Sequence, residues 1–503
     1  MDMFATMSAG LGNIMHWDQL LIMICGTWFG IIVGVIPGLN AIMAVALIVP
    51  ITYGFGTITS LSLLISVYVG ALTGGLLSAI LLGIPGTPAS VATVFDGYPM
   101  GQKGQAGRAI GIAAFASFFG GFFSYICLLF MAPAIANVAL MLDHFDIFAI
   151  VFCALVMIAD ASESTLSKGL LSGLAGMLIA TVGIAPVDAA LRFTFGTDTL
   201  ISGFDQTPVL IGLFALSQVF NEVKATLRPV PKFSMDDSRV IPTLKDMKAN
   251  VGNFIRSSLI GTGLGIVPGV GGTTSGIMAY QQAKNASDHP ERFGTGIMEG
   301  LVASETANNA TSGGAMIPML TLGIPGDPIA ALFLSALMIK QIQPGPLLFA
   351  SNGDLVYSFT FIFFISNFLM FIMLIASARL FSKFLLIPKA IILPPILIMC
   401  VLGGFLIDNR MSEVWSIIGF GLVGFCMLKS GFPLGPMVLG VILGPVAELE
   451  IRAGLTATQG SLMPLVTRPV CIIFLALAVI MPFVPYIQNW RRKKRLAKQA
   501  AGE

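Results

Sequence analysis

The chain has 503 residues, 56% of them hydrophobic and 10% charged, with a mean hydropathy of +0.90. Such values exclude an ordinary soluble domain and identify a polytopic membrane protein. Twenty-seven basic residues stand against 25 acidic ones, so the net charge points to no partner, and only the placement of the charges is informative.

In chain order, apolar runs of roughly eighteen residues or more predict spans near 18–36, 60–82, 109–131, 145–161, 165–186 and 207–221. After a polar interval they continue near 254–280, 296–322, 355–378, 388–407, 412–430, 433–447 and 467–487. Some of these are broken or re-entrant, which leaves about 11 to 13 transmembrane or re-entrant helices. The expected fold is therefore an all-α polytopic membrane protein. No basic region, short apolar core and small-residue cleavage site occur in sequence at the N-terminus, so a signal peptide is not expected there.

The polar interval, residues 221–253, runs from Asn221-Glu222 through Pro229-Val230-Pro231 and Asp236-Asp237 to Lys248. Extended to residue 256 it holds seven Lys and Arg against four acids, which reads as a cytoplasmic linker. Four segments follow: a first repeat over 1–220, the linker over 221–253, a second repeat with additional helices over 254–487, and a basic tail over 488–503. That tail, Arg491-Arg492-Lys493-Lys494-Arg495, reads as a cytoplasmic topology signal and not as a nucleic-acid site.

The repeats are visible as a duplicated word. Gly83-Ile84-Pro85-Gly86-Thr87-Pro88 ends one apolar run, and Gly323-Ile324-Pro325-Gly326-Asp327-Pro328 ends another. Upstream of each stands an opening motif, Gly34-Val35-Ile36-Pro37-Gly38-Leu39-Asn40 and Gly265-Ile266-Val267-Pro268-Gly269-Val270-Gly271-Gly272. Aligned by eye, Pro37 matches Pro268, Gly74-Gly75 matches Gly313-Gly314, and Pro85 matches Pro325. Proline removes a backbone donor and glycine accepts conformations that no helix uses, so each motif breaks a helix. In a bilayer such breaks are tolerated where they line a cavity or are buried in protein, and paired breaks in two halves point to a transporter's binding site. Equivalent loops carry opposite charge: 52–56 has no base, but 96–108 has Lys103 and Arg108. In the second half, 281–293 has Lys284 and Arg292, but 343–352 has none. The repeats are therefore expected to be inverted across the membrane.

Chemistry is expected at the breaks and in the run Ser304-Glu305-Thr306-Ala307-Asn308-Asn309-Ala310-Thr311-Ser312. Burying this many hydroxyls and amides is unfavourable unless they meet partners, water or a ligand. Helical spacing puts Glu305, Asn308, Asn309 and Ser312 on one face. A half-helix N-terminus offers bare N–H groups to a carboxylate, and unwound carbonyls with side-chain oxygens suit a cation. No lysine or arginine lies in the four motifs. The candidate substrate-binding residues are Pro37, Gly38, Asn40, Gly86, Thr87, Gly271, Gly272, Thr273, Thr274, Asn308, Asn309, Thr311 and Gly326. Glu305 and Asp327 are the candidate cation-coupling residues, Asp327 having helix capping as its alternative. No catalytic residue is expected, since Ser78, Ser304 and Ser312 have no nearby His or Lys in sequence. Isolated His16, His144 and His289 and six singly placed cysteines give no metal or disulfide pattern, so no cofactor is expected beyond a transported sodium ion or proton.

Several of these features together resemble one family. They are the duplicated Pro-Gly motifs, Asp96-Gly97-Tyr98-Pro99-Met100, Arg192-Phe193-Thr194-Phe195-Gly196, Ile211-Gly212-Leu213-Phe214, Gly435-Pro436, Gly444-Pro445, Glu448, Arg452 and Arg468-Pro469. Over nearly its whole length the chain resembles the large membrane subunit of tripartite tricarboxylate transporters, the TctA-type permeases. The resemblance implies a multi-pass secondary transporter of the bacterial inner membrane, driven by a sodium or proton gradient and importing di- or tricarboxylates. It implies two partners, a periplasmic solute-binding protein and a small four-helix membrane subunit. It also places substrate and cation near the Pro-Gly loops. Some citrate-type members have Asn and Val where Gly83 and Ile84 stand, so the resemblance gives the carboxylate class and not the carboxylate. The alternative is a passive pore for small polar solutes, with the broken helices as its filter.

Overall fold

The computed structural model describes residues 3–161, 165–223 and 240–483. The basic tail and residues 224–239 of the linker lie outside them. The first helices are α1 (Met3–Gly12), α2 (Trp17–Val35), α3 (Ala41–Ile48), α4 (Thr57–Leu82), α5 (Val91–Gln102) and α6 (Ala106–Ala139). Then come α7 (His144–Ala161), α8 (Leu166–Ala180), a two-stranded antiparallel hairpin of β1 (Gly183–Ile184) and β2 (Leu191–Arg192), α9 (Gln206–Leu210) and α10 (Ser217–Glu222). Past the linker follow α11 (Leu244–Ala249), α12 (Val251–Ile266), α13 (Gly271–Asn285), α14 (Met298–Leu322), α15 (Pro328–Ile339) and α16 (Leu348–Ser351). The last are α17 (Gly353–Lys383), α18 (Lys389–Asp408), α19 (Met411–Lys429), α20 (Leu434–Ala457), α21 (Pro464–Thr467) and α22 (Pro469–Ile480).

The all-α polytopic class is thus observed. Among the described residues seven helices are long and apolar enough to cross a membrane, and five shorter apolar helices accompany them. Hydropathy alone did not separate α3 and α15, because each is a short half-helix behind a break. Residues 254–280 form two helices, α12 and α13, with the opening motif between them.

The chain forms two compact units. The first comprises Met1–Leu140 and Asp205–Cys426; the second comprises Met141–Phe204 and Met427–Glu503. In the second unit α20 packs on α7 and α8, and α22 packs on α7. Ion pairs hold it together: Arg192 meets Glu448 at 2.8 Å, Arg452 meets Glu448 and Asp188 at 3.0 Å each, and Arg468 meets Asp146 at 2.5 Å.

In the first unit the two repeats share one packing device. α2 lies against α4, and α12 lies against α14, through small residues that let backbones touch. A Cβ on Gly74 would stand 2.5 Å from the Ile31 carbonyl oxygen, and one on Gly314 2.5 Å from that of Thr262. Gly74 therefore corresponds to Gly314. That corrects by one residue the alignment by eye, which matched Gly-Gly pairs when the contact is made by a helix face.

Each long inner helix then ends in the same way. Gly83 and Gly323 take left-handed φ values of 67° and 69°, which terminate α4 and α14. Two residues later a proline forbids continuation, and Pro88 and Pro328 begin the next helical turn, where a missing N–H is harmless.

Candidate functional site

Almost every side chain of α14 is buried, including Ser304, Glu305, Thr306, Asn308, Asn309, Thr311 and Ser312, none more than 2% exposed. A helix with polar residues all round can be buried only if its neighbours satisfy them, so the partner of each group matters. Three hydroxyls bond back along the helix: Ser304 to the Leu301 carbonyl, Thr311 to that of Ala307 and Ser312 to that of Asn309. Asn309 donates to the Glu305 carbonyl at 3.2 Å and accepts from the Thr73 hydroxyl of α4 at 2.9 Å. Glu305 accepts from Thr93 of α5 and, at 2.9 Å, from Ser117 of α6. No basic side chain pairs with it among the described residues.

The Thr306 hydroxyl has no partner among the described residues, and Asn308 goes further, leaving a donor and an acceptor unmet. It is 1% exposed, and neither its amide nitrogen nor its carbonyl oxygen has a partner among the described residues. A buried side-chain amide left this way costs about 1–3 kcal/mol. Its oxygen faces Gly272, where a Cβ would come within 2.5 Å of it, and the same Cβ would touch Ala89 at 3.2 Å. α13 packs here on α5 and on the turn Pro88–Ser90. Three elements from both repeats therefore converge: the start of α13, the first closing motif and the middle of α14. Of the four polar residues expected on one face of α14, three divide among neighbours, Glu305 meeting α5 and α6, Asn309 α4 and Asn308 α13, while Ser312 bonds back along its own helix.

The start of α13 is bare. Val270 precedes it with no side-chain cap, and Gly271 has φ 61°, a left-handed conformation that glycine adopts without strain. Gly271, Gly272, Thr273 and Thr274 are partly exposed, and Ser275 donates to the Gly271 carbonyl at 2.8 Å. The free N–H groups of a first helical turn carry a partial positive charge, a seat for an anion.

The remaining candidates have local partners. Asn40 accepts from the Met43 N–H at 2.8 Å and Asp327 from the Ala330 N–H at 2.7 Å, so each caps its half-helix. The Thr87 hydroxyl shares a hydrogen bond of 3.0 Å with Ser90. Gly86 and Gly326 lie against the backbone of Gly34 and Gly265, where no side chain would fit. The Gly326 carbonyl also accepts from the Gly269 N–H at 2.7 Å, tying closing motif to opening motif. Pro37 is partly exposed, and Gly38, with φ 94°, lies against the carboxylate of Glu222 and accepts from Gln218 at 3.0 Å. Lys389 pairs with Glu222 at 2.5 Å.

Sequence reasoning missed Thr73, Thr93 and Ser117, single hydroxyls inside apolar helices that carry no signal until α14 is placed beside them. It also assigned Glu222 to the linker, although this residue is 8% exposed at the first opening motif.

Residues 20–439 match the family described as the tripartite tricarboxylate transporter TctA family. The chain belongs to that family. It is thus a multi-pass membrane transporter subunit of the TctA kind, as the sequence motifs implied. Among curated relatives it is similar to a protein of Agrobacterium vitis described as an uncharacterized 52.8 kDa protein in the TAR-I ttuC' 3' region. The two are 32% identical over 499 residues, 98% of this chain and 99% of the relative. A second relative from the same organism, an uncharacterized protein in the TAR-II ttuC' 3' region, is 32% identical over 234 residues, 46% of this chain and 97% of that one. No solved structure matches. Within this TctA chain, the residues that carried the resemblance have structural work. Arg192, Glu448, Arg452 and Arg468 form the ion pairs of the second unit. Asp96 accepts from the backbone N–H groups of Gly294, Gly296 and Ile297 at 2.7–2.9 Å.

Proposed function

We propose that this chain imports a di- or tricarboxylate as the large permease subunit of a binding-protein-dependent tripartite transporter in the bacterial inner membrane. Its partners are a periplasmic solute-binding protein and a small four-helix subunit. The carrying observation is the uncapped start of α13 facing Asn308, whose buried amide has no partner among the described residues. A substrate carboxylate accepts N–H bonds from Gly272, Thr273 and the Asn308 amide, and Thr87 and Thr274 supply hydroxyls from either side. Asn40, Gly86, Gly326 and Thr311 shape the same breaks from behind.

Glu305 is the coupling group in this reading. It is an intramembrane carboxyl held by the hydroxyls of Thr93 and Ser117, with no basic partner among the described residues, and such groups are functional candidates. Occupancy of both sites lets the motif-bearing helices close on one side and open on the other.

The inverted orientation of the repeats belongs to the same proposal. Lys340 donates to the carbonyls of Tyr53 and Phe55 at 2.9 and 2.6 Å, so the loop ahead of α4 meets the end of α15. Lys103 donates to the Thr295 carbonyl at 2.6 Å, so the loop ahead of α14 meets the end of α5. Single cysteines at Phe55 and Lys284, in equivalent loops of the two repeats, should label from opposite sides of the membrane; labelling from one side sinks the inversion.

The experiment is uptake of labelled di- and tricarboxylates into cells expressing this chain with its binding protein and small subunit, with and without an ionophore. Accumulation that collapses with the gradient supports the proposal and identifies substrate and ion. Equilibration without accumulation, unchanged when the binding protein is omitted, makes the chain a passive pore.

A further inference from the structure

A cavity lies outside the machinery just described. It has a volume of about 590 Å³ between α12 and α13 and is lined by Gly252, Ile255, Arg256, Leu259, Met278 and Gln282, with Ile260 behind. Its walls are graded along the helices. Arg256 and Gln282 lie toward the end where α12 begins and α13 stops, and Leu259, Ile260 and Met278 lie deeper. Ile255, Leu259 and Met278 are 45%, 58% and 49% exposed. Beside Gly252 and Gly263 no described residue approaches within 4 Å of a would-be Cβ, so among the described residues nothing covers this face of α12.

The polar end carries an unused cation. Arg256 donates from Nη2 to Asn253 Oδ1 at 2.9 Å, and its buried Nε has no partner among the described residues. It forms no ion pair among the described residues. Lys248 and Lys284 stand close to the same helix ends in sequence, so the field there favours an anion. A guanidinium presents several N–H donors in a planar fork that matches phosphate.

We propose that this groove binds an anionic phospholipid of the surrounding bilayer. The phosphate sits on Arg256 with Gln282 beside it, and an acyl chain lies along Ile255, Leu259, Ile260 and Met278. Basic pockets between membrane helices recognise such headgroups in general, and the apolar depth decides between amphiphile and soluble anion. A carboxylate substrate would have to leave water for a wall of Leu, Ile and Met, which is unfavourable. An acyl chain gains from the same wall.

The test counts lipid bound to the purified full chain by native mass spectrometry. Phosphatidylglycerol and phosphatidylcholine are titrated in separate arms, and glycerol 3-phosphate supplies the headgroup without its chains. The expected result is retention of phosphatidylglycerol, weakened about tenfold by Arg256→Gln. Phosphatidylcholine and glycerol 3-phosphate are expected to bind no more than to the variant. Gln282→Glu, which sets a negative charge at the polar end, should weaken phosphatidylglycerol alone and serves if Arg256→Gln does not fold. Equal retention of both lipids, or retention unchanged in both variants, overturns the proposal. So does glycerol 3-phosphate bound as tightly as the lipid, which would make the groove a soluble-anion site. Displacement of the lipid by the small membrane subunit, with Arg256→Gln weakening that subunit instead, would assign the groove to a protein helix and also overturn it.

Discussion

In the first unit the breaks of the two repeats also meet crosswise, opening motif of one beside closing motif of the other, yet only one of these two pairs leaves its polar groups available. Where the first opening motif meets the second closing motif, Asn40 caps α3, Asp327 caps the facing α15, and Tyr68 packs edge-on to Phe333 at 5.8 Å. Where the second opening motif meets the first closing motif, α13 has no side-chain cap, the Thr87 hydroxyl turns to Ser90, and the Asn308 amide has no partner among the described residues. The register that sets Gly83 on Gly323 places Tyr68 at Asn308, Ile65 at Glu305 and Leu72 at Ser312. One inner helix thus keeps apolar residues where the other keeps amide, carboxylate and hydroxyl. A duplicated scaffold has become asymmetric by side chains alone, with the breaks themselves unchanged. The difference teaches that a broken helix is not by itself a site; what matters is whether its free backbone groups have already been satisfied by the chain.

The comparison is tested hardest at Glu305. Glu305→Gln keeps an oxygen to accept from Thr93 or Ser117 but can neither lose a proton nor hold a cation. The accumulation ratio should fall toward equilibrium while substrate still binds, as measured by gradient-driven uptake beside equilibrium binding. Undiminished accumulation would move coupling elsewhere.

Next in size is Asn308→Ala. Losing a neutral donor to a charged ligand costs about 1.5–3 kcal/mol, or roughly 10- to 100-fold in apparent affinity. The thermal midpoint should not fall, because an unsatisfied buried amide disappears with the side chain. A large loss of stability with unaltered affinity would show that Asn308 is a packing residue.

Gly74→Val and Gly314→Val probe the shared half of the comparison. Both force a side chain against a backbone carbonyl, and each should destabilise by about 1–3 kcal/mol, read from thermal unfolding in detergent. Similar losses would support equivalent packing of α2 on α4 and α12 on α14. A tolerated valine at either position would break the correspondence.

Much of this was legible before any coordinates. Gly and Pro are read directly from sequence, because their backbone effects are local; hence the four breaks and their pairing were visible. The polar run of α14 stood out for the same reason that it needs explaining, since seven of the nine residues from Ser304 to Ser312 are polar, all but Ala307 and Ala310, and so many would be a liability in a lipid-facing helix. What could not be read was which neighbour each group meets. Helical periodicity assigns a face, but a helix buried on every side has no outer face, so Glu305 and Asn308 part company. Nor could spacing reveal Thr93 or Ser117, whose role depends on helices distant in the chain. The division of the chain into two units was illegible as well, because α7 and α8 join helices more than two hundred residues later.

The smallest effects separate capping from cation binding. Asn40→Ala and Asp327→Ala each remove a cap and should cost about 1 kcal/mol of stability. Asp327→Asn keeps an oxygen for the Ala330 N–H and should restore most of that loss. If Asp327 is only a cap, the asparagine variant transports with the same cation dependence as the parent. If it also holds the coupling ion, stability recovers but the cation concentration for half-maximal uptake rises. The second outcome would place a cation at the break whose other polar groups are already satisfied, and would make the pair of breaks around Asn40 and Asp327 a working partner of the pair around α13 and Thr87 instead of its filled counterpart.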